Sequence, residues 1–240
     1  MNKNLLGMGL AMAVALGGSA QAAGTPDLSG FWKPAQPVSA LRTSDGKAPP
    51  LNALGQKLYA ANQAAAKAGD RSFDNGTMCR PLGVPRLLTQ SAFELGQTPR
   101  DVVFLYQWNR LQRPAEVRNT HSDFDHAYPY YLGHPIARWD GNALVLDSVY
   151  FNEDTILDDS GLPHSDALHV VERYTLKDKD TLVATVTIDD SKLYSQSWQT
   201  TLTFQRMSAD TRLPEDVCED RLGLQNLNTN KNRLPVENPK

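Results

Sequence analysis

Apolar and polar residues alternate with a period of two over most of the chain beyond residue 86. Val102, Phe104, Tyr106 and Trp108 fall on one face of a candidate strand, the pattern of a half-buried β-segment. Residues 135–139 and 143–151 flank Asp140-Gly141-Asn142, a strong hairpin signal between alternating runs. Residues 168–176 and 181–188 flank the polar turn Lys177-Asp178-Lys179-Asp180, and 197–207 adds another strand. With the segment at Phe31 and those at 86–95 and 110–119, about nine strands are expected. Before residue 86 the period changes. Leu54, Leu58 and Ala61 recur at helical spacing, Asn52 can cap the first turn and Gly69 can end the last, which predicts one helix over 53–67. This order predicts an all-β fold, an antiparallel meander with one N-terminal helix. Closing the meander into a barrel removes its edges, and a plain β-sandwich is the competing architecture.

The chain has 240 residues, 40% of them apolar and 21% charged, with a formal net charge of −3. That balance excludes a basic nucleic-acid binder and a disordered acidic tail. At the N-terminus, Lys3 precedes the short apolar run 5–16, and Ala20-Gln21-Ala22 follows. This is the layout of a cleaved signal peptide, too short to span a bilayer. The expected organisation is a signal peptide over 1–22, an N-terminal strand, Pro-rich connector and helix over 23–70, a β-barrel domain over 71–213 and a polar tail over 214–240. The mature protein is expected in the periplasm or secreted, with no membrane insertion after cleavage. Its two cysteines, Cys79 and Cys218, are expected to pair there and tie the tail back. Two free thiols are the alternative.

The opening Gly30-Phe31-Trp32 resembles the first motif of lipocalin-like (calycin) barrels. That resemblance implies a Trp plugging one barrel end, with an Arg of the last strand lying over it; Arg206 occupies the matching place. The helix comes early here, where lipocalins carry theirs late. A longer set of motifs, Cys79-Arg80-Pro81-Leu82-Gly83-Val84-Pro85-Arg86, Gly133-His134, Trp139-Asp140-Gly141-Asn142, Phe151-Asn152 and Gly161-Leu162-Pro163-His164-Ser165, continuing to Arg173, resembles a family of uncharacterised exported bacterial β-rich proteins. That likeness implies export and a β-rich domain and brings no activity with it.

The candidate chemistry is concentrated. All five histidines lie between residues 121 and 169, among many Asp and Tyr residues. Histidine titrates near neutral pH, and a neighbouring carboxylate can fix its tautomer and raise its basicity. Two subclusters stand out. In the first, His121, Asp123 and Asp125 share a face if extended, followed by Tyr128, Tyr130 and Tyr131; a polar surface loop is the plainer reading. In the second, a loop carrying His164 feeds a strand on which His169 and Glu172 face opposite sides. His169 is placed inward, with His164 near the barrel mouth, or else both are hydrogen-bonded structural residues. His121, Asp123, His164 and His169 could together hold zinc or iron, but no compact ligand motif such as His-Glu-x-x-His is present. A Gly-x-Ser-x-Gly elbow and nucleotide-binding glycine patterns are also lacking.

These parts suit an exported, cofactor-independent enzyme of lyase, isomerase or cyclase type, acting on a small apolar or aromatic molecule in a barrel cavity. His169, His164 and His121 are the acid–base candidates. Asp147 or Asp125 would orient them, Tyr130 would donate a proton, and Tyr or Arg would stabilise an oxyanion. Tyr128, Tyr131, His134 and Trp108 are candidate substrate contacts. The alternatives are a non-catalytic lipocalin-like carrier of a hydrophobic ligand and a metal-dependent hydrolase or oxygenase.

Overall fold

A computed structural model describes residues 25–122 and 128–218. Nine strands close into one barrel in chain order: β1 (Gly30–Pro34), β2 (Phe93–Gln97), β3 (Asp101–Tyr106), β4 (Gln112–Val117), β5 (His134–Asp140), β6 (Ala143–Val149), β7 (His169–Asp178), β8 (Thr181–Asp189) and β9 (Trp198–Arg206). β1 pairs with both β2 and β9 and so closes the ring. The barrel therefore draws its first stave from well before residue 71.

The helix α1 (Ala53–Lys67) forms where the spacing predicts, with the Asn52 side chain accepting from Gly55 N–H. Gly55 is required there because a Cβ would lie 2.3 Å from the Leu193 carbonyl oxygen. One expectation fails locally. The segment from residue 86, read as strand, opens as a short helix α2 (Arg86–Gln90), and β2 begins only at Phe93. Leu87 and Leu88 are both fully buried, which a helix against a barrel achieves as well as a strand does.

The ring also departs from a pure meander. β4 and β5 run parallel, paired at Glu116↔Ile136 and Val117↔Ala137 only. The 118–133 connection carries the chain back to the start of β5, as a parallel junction requires. Continued toward the strand starts, this register would place Pro114 and Pro135 in the seam. Neither has an N–H for a ladder, and both line the opening left between the strands.

Inside, the barrel is filled. Phe93, Phe104, Phe204 and Tyr174 pack with ring centroids 5.2–5.3 Å apart. Trp32 is fully buried at one end. The Arg206 guanidinium lies 4.1 Å from its ring centroid and donates to the carbonyls of Ser29 and Lys179, each at 2.7 Å. The closed nine-stranded ring with this Trp–Arg plug is a calycin-like barrel. Cys79 and Cys218 form the expected disulfide, which indicates a non-reducing compartment. Among the described residues no helix is long and apolar enough to cross a membrane.

Candidate functional site

Alternation fixes which side chains meet at the barrel wall. On β6, Leu144, Leu146 and Ser148 face inward, and on β7 Val170, Glu172 and Tyr174 do; all are buried. Asp147 and His169 therefore face outward. This corrects the inward placement of His169. Glu172 takes the inward position because it has a cation to meet there, Arg113 of β4, whereas His169 finds its carboxylate on the outer wall.

That carboxylate is Asp147. Its Oδ1 accepts from His169 Nε2–H at 2.9 Å and from His121 Nε2–H at 3.2 Å. His169 and Asp147 are diagonal neighbours on β7 and β6, and His121 arrives from the β4–β5 connection. The outward Ile136, opposite Asp147 on β5, is buried, so the trio sits on a wall that other segments partly cover. The hydrogen bond from His169 pulls the Asp147 carboxyl below its ordinary range, against the opposing effect of burial, and His121 adds to it. The same bond raises His169 above its ordinary value of 6.5. When His169 is neutral, donation through Nε2 leaves Nδ1 as its basic nitrogen.

A cleft of about 430 Å³ opens at the β4–β5 seam, lined by Pro81, Gln112, Arg113, Pro114 and residues 130–135. This cleft opens in the barrel wall, while large side chains such as Phe93, Phe104, Phe204 and Tyr174 occupy much of the interior. Tyr130, Tyr131 and His134 line the cleft as expected. The rings of Tyr130 and His134 meet edge-on at 4.3 Å. His134 Nε2–H donates to the Tyr128 carbonyl at 2.9 Å, and the Tyr128 ring itself is largely exposed. His134 shares the outer face with Asp147. It precedes Ile136 by two residues on β5, and Ile136 is the residue opposite Asp147, so the two are diagonal neighbours, with Cβ atoms roughly 7 Å apart. The cleft therefore reaches within one strand of Asp147, although none of the trio itself lines it.

Other candidates lie elsewhere. His164 is buried, donates through Nδ1 to the Ser165 carbonyl at 2.9 Å and accepts at Nε2 from Thr155 Oγ1 at 2.7 Å. Burial lowers its pKa. It is a satisfied structural histidine, not a residue at an open mouth. Trp108 lies in the turn between β3 and β4, packed against the core, and is not among the cleft residues. Asp123, Asp125 and His126 fall outside the described residues. The set His121, Asp123, His164 and His169 is not assembled, since His164 is engaged away from the outer-wall trio. Among the described residues no group of three or more His, Cys, Asp and Glu side chains is arranged to hold a metal ion.

Sequence reasoning missed Arg113. A charged residue two positions before the inward Ala115 on an alternating strand was the available signal. The comparisons with family models and with curated proteins return no match.

Proposed function

We propose that this is an exported acid–base enzyme, working without a cofactor on a small, mostly apolar molecule held in the wall cleft. One observation carries the reading: a single carboxylate oxygen, on Asp147, holds two histidines beside a cleft lined by Tyr and His. In this reading His169 is the base. Asp147 fixes its tautomer and stabilises the imidazolium that forms when Nδ1 takes a proton. Tyr130, at the cleft, is the matching donor, and His121 shares the charge of the carboxylate. Lyase, isomerase or cyclase steps need only such proton movement and positioning. The signal-like N-terminus and the disulfide support export. The resemblance to exported bacterial β-rich proteins agrees with that location.

A screen of aromatic and terpenoid compounds, with products read by mass spectrometry, tests this reading. We expect wild-type protein to convert at least one compound, and His169→Ala to lose that turnover while keeping the fold. Full turnover in His169→Ala would remove the base assignment. Binding without turnover in the wild type would leave the carrier reading, which shares the cleft and gives the trio no chemical role.

A further inference from the structure

One histidine of the cleft is held by one ring nitrogen and presents the other. His134, the first residue of β5, lines the cleft. Its Nε2 meets the Tyr128 carbonyl oxygen at 2.9 Å, and its ring meets that of Tyr130 edge-on at 4.3 Å. A carbonyl oxygen only accepts, so Nε2 carries the proton. A neutral imidazole has one N–H, so Nδ1 keeps a bare lone pair. Among the described residues Nδ1 has no hydrogen-bond partner. The two ring nitrogens point well apart, so Nδ1 is turned away from Tyr128. Tyr128 does not line the cleft, whereas Tyr130, Gly133 and Pro135, the other neighbours of His134, all do. The frame around the ring is fixed. The Tyr130 N–H donates to the Tyr150 carbonyl at 2.9 Å, and the Asn152 N–H donates to the Tyr130 carbonyl at 3.0 Å. Tyr150 offers that carbonyl from a φ of 58°, a left-handed conformation that costs a tyrosine free energy and recurs at ligand sites. Gly133 closes the turn by donating its N–H to the Tyr130 carbonyl at 3.3 Å, and a Cβ there would lie 2.6 Å from the Phe151 ring.

We propose that the cleft recognises its molecule through one neutral hydroxyl, which donates to His134 Nδ1. This rests on the cleft being the binding site and adds the chemical class of the ligand: a hydroxyl-bearing, mostly apolar ring compound such as a phenol. Three features narrow the class. Nδ1 of the neutral ring can only accept, so an ether oxygen, which also only accepts, finds no partner in it. A carboxylate would set its charge against that lone pair, and an ammonium would find no Asp or Glu among the lining residues to compensate it, whereas a hydroxyl brings the proton without a charge. The remaining wall is built largely of Pro81, Pro114, Leu132 and two tyrosines, which suits an apolar or aromatic body. The enol form of a ketone offers the same hydroxyl.

The test uses three probes of similar size: para-cresol, para-methylanisole and para-toluate. Each is titrated into isotopically labelled full-length protein at about pH 8, where histidine is ordinarily neutral. Long-range proton–nitrogen NMR separates the protonated nitrogen of each imidazole from the bare one, and backbone amides report on the cleft. His134→Phe, which keeps a ring against Tyr130 and lacks both nitrogens, identifies the His134 signals; if this variant does not fold, through-bond assignment in the wild type serves instead. We expect His134 to carry its proton on Nε2, and para-cresol to shift Nδ1 and to bind about fivefold or more tightly than either other probe. A proton on Nδ1 in the free protein, an Nδ1 signal that ignores bound para-cresol, equal affinity for para-methylanisole, or tightest binding of para-toluate would each overturn the proposal. In those cases, amide shifts at Tyr130–His134 would still uphold the cleft as a binding site. Absence of shifts there with all three probes would overturn the cleft reading itself, and this inference with it.

Discussion

Asp147 Oδ1 accepts from His169 at 2.9 Å and from His121 at 3.2 Å, so one oxygen joins β6 both to β7 and to the β4–β5 connection. The arrangement raises the His169 pKa and lowers that of Asp147. A group with a raised folded pKa stabilises the fold below its unfolded pKa and loses that contribution as pH rises through the folded value. A lowered carboxylate contributes above its unfolded pKa and loses its share as pH falls through the folded value. The contribution of the pair is therefore complete between about pH 4 and pH 6.5 and fades on either side. Because the His169 side chain is 40% exposed, screening keeps the effect to about 1 kcal/mol or less. Asp147→Asn should return the His169 midpoint toward 6.5 and flatten the pH dependence of denaturant unfolding. An unchanged His169 titration in that variant, followed by NMR, would contradict the pairing.

The interior pair Arg113–Glu172 gives a sharper stability prediction. Removing one partner of a buried pair leaves an uncompensated charge, at a cost of about 3–5 kcal/mol. Glu172→Leu should be destabilised by that order in denaturant unfolding. The double variant Arg113→Met with Glu172→Leu should recover much of the loss. A double variant no more stable than Glu172→Leu would show that the pair contributes more than mutual neutralisation.

At the barrel end, Gly30 has a φ of 126°, and a Cβ there would lie 2.7 Å from Arg206 Nη1. Gly30→Ala should therefore strain the backbone and displace Arg206 from Trp32, costing about 1–3 kcal/mol. The tryptophan fluorescence of the folded variant should shift as well. Wild-type stability in Gly30→Ala would mean that the plug is not under tight steric control.

The disulfide separates its cysteines by 139 residues. By chain entropy such a closure stabilises the fold by about 4–5 kcal/mol at most. Asp216 also accepts from Asn109 N–H, and the Leu213 carbonyl accepts from Arg110, so the bridge secures residues 213–218 over the turn after β3. Cys218→Ser should lower the melting temperature and speed proteolysis in that segment ahead of the barrel. Simultaneous cleavage of tail and barrel would show that the bridge holds the whole ring.

Much of this was legible in the sequence, because local rules governed it. Asn52 and the Leu54–Leu58–Ala61 spacing defined α1, Asp140-Gly141-Asn142 defined the β5–β6 turn, and Gly30-x-Trp32 with Arg206 defined the plug. Long-range partners decided the rest. Period two shows that His169 and Glu172 face opposite ways, but which one points inward depends on Arg113, 59 residues from Glu172. The parallel β4–β5 junction depends on where the 118–133 connection lands. The Asp147–His121 contact spans 26 residues and two strands, beyond any local pattern.

In the proposed reaction Asp147 and His169 move protons on a molecule in the cleft. Such proton movement would be read as uptake of deuterium from D2O at the carbons beside the carbonyl of acetophenone and 2-tetralone, followed by mass spectrometry. Wild-type protein should exchange these positions faster than buffer, and Asp147→Asn and His169→Ala should each lose at least about tenfold of that rate. Exchange in the wild type no faster than in both variants would contradict the account.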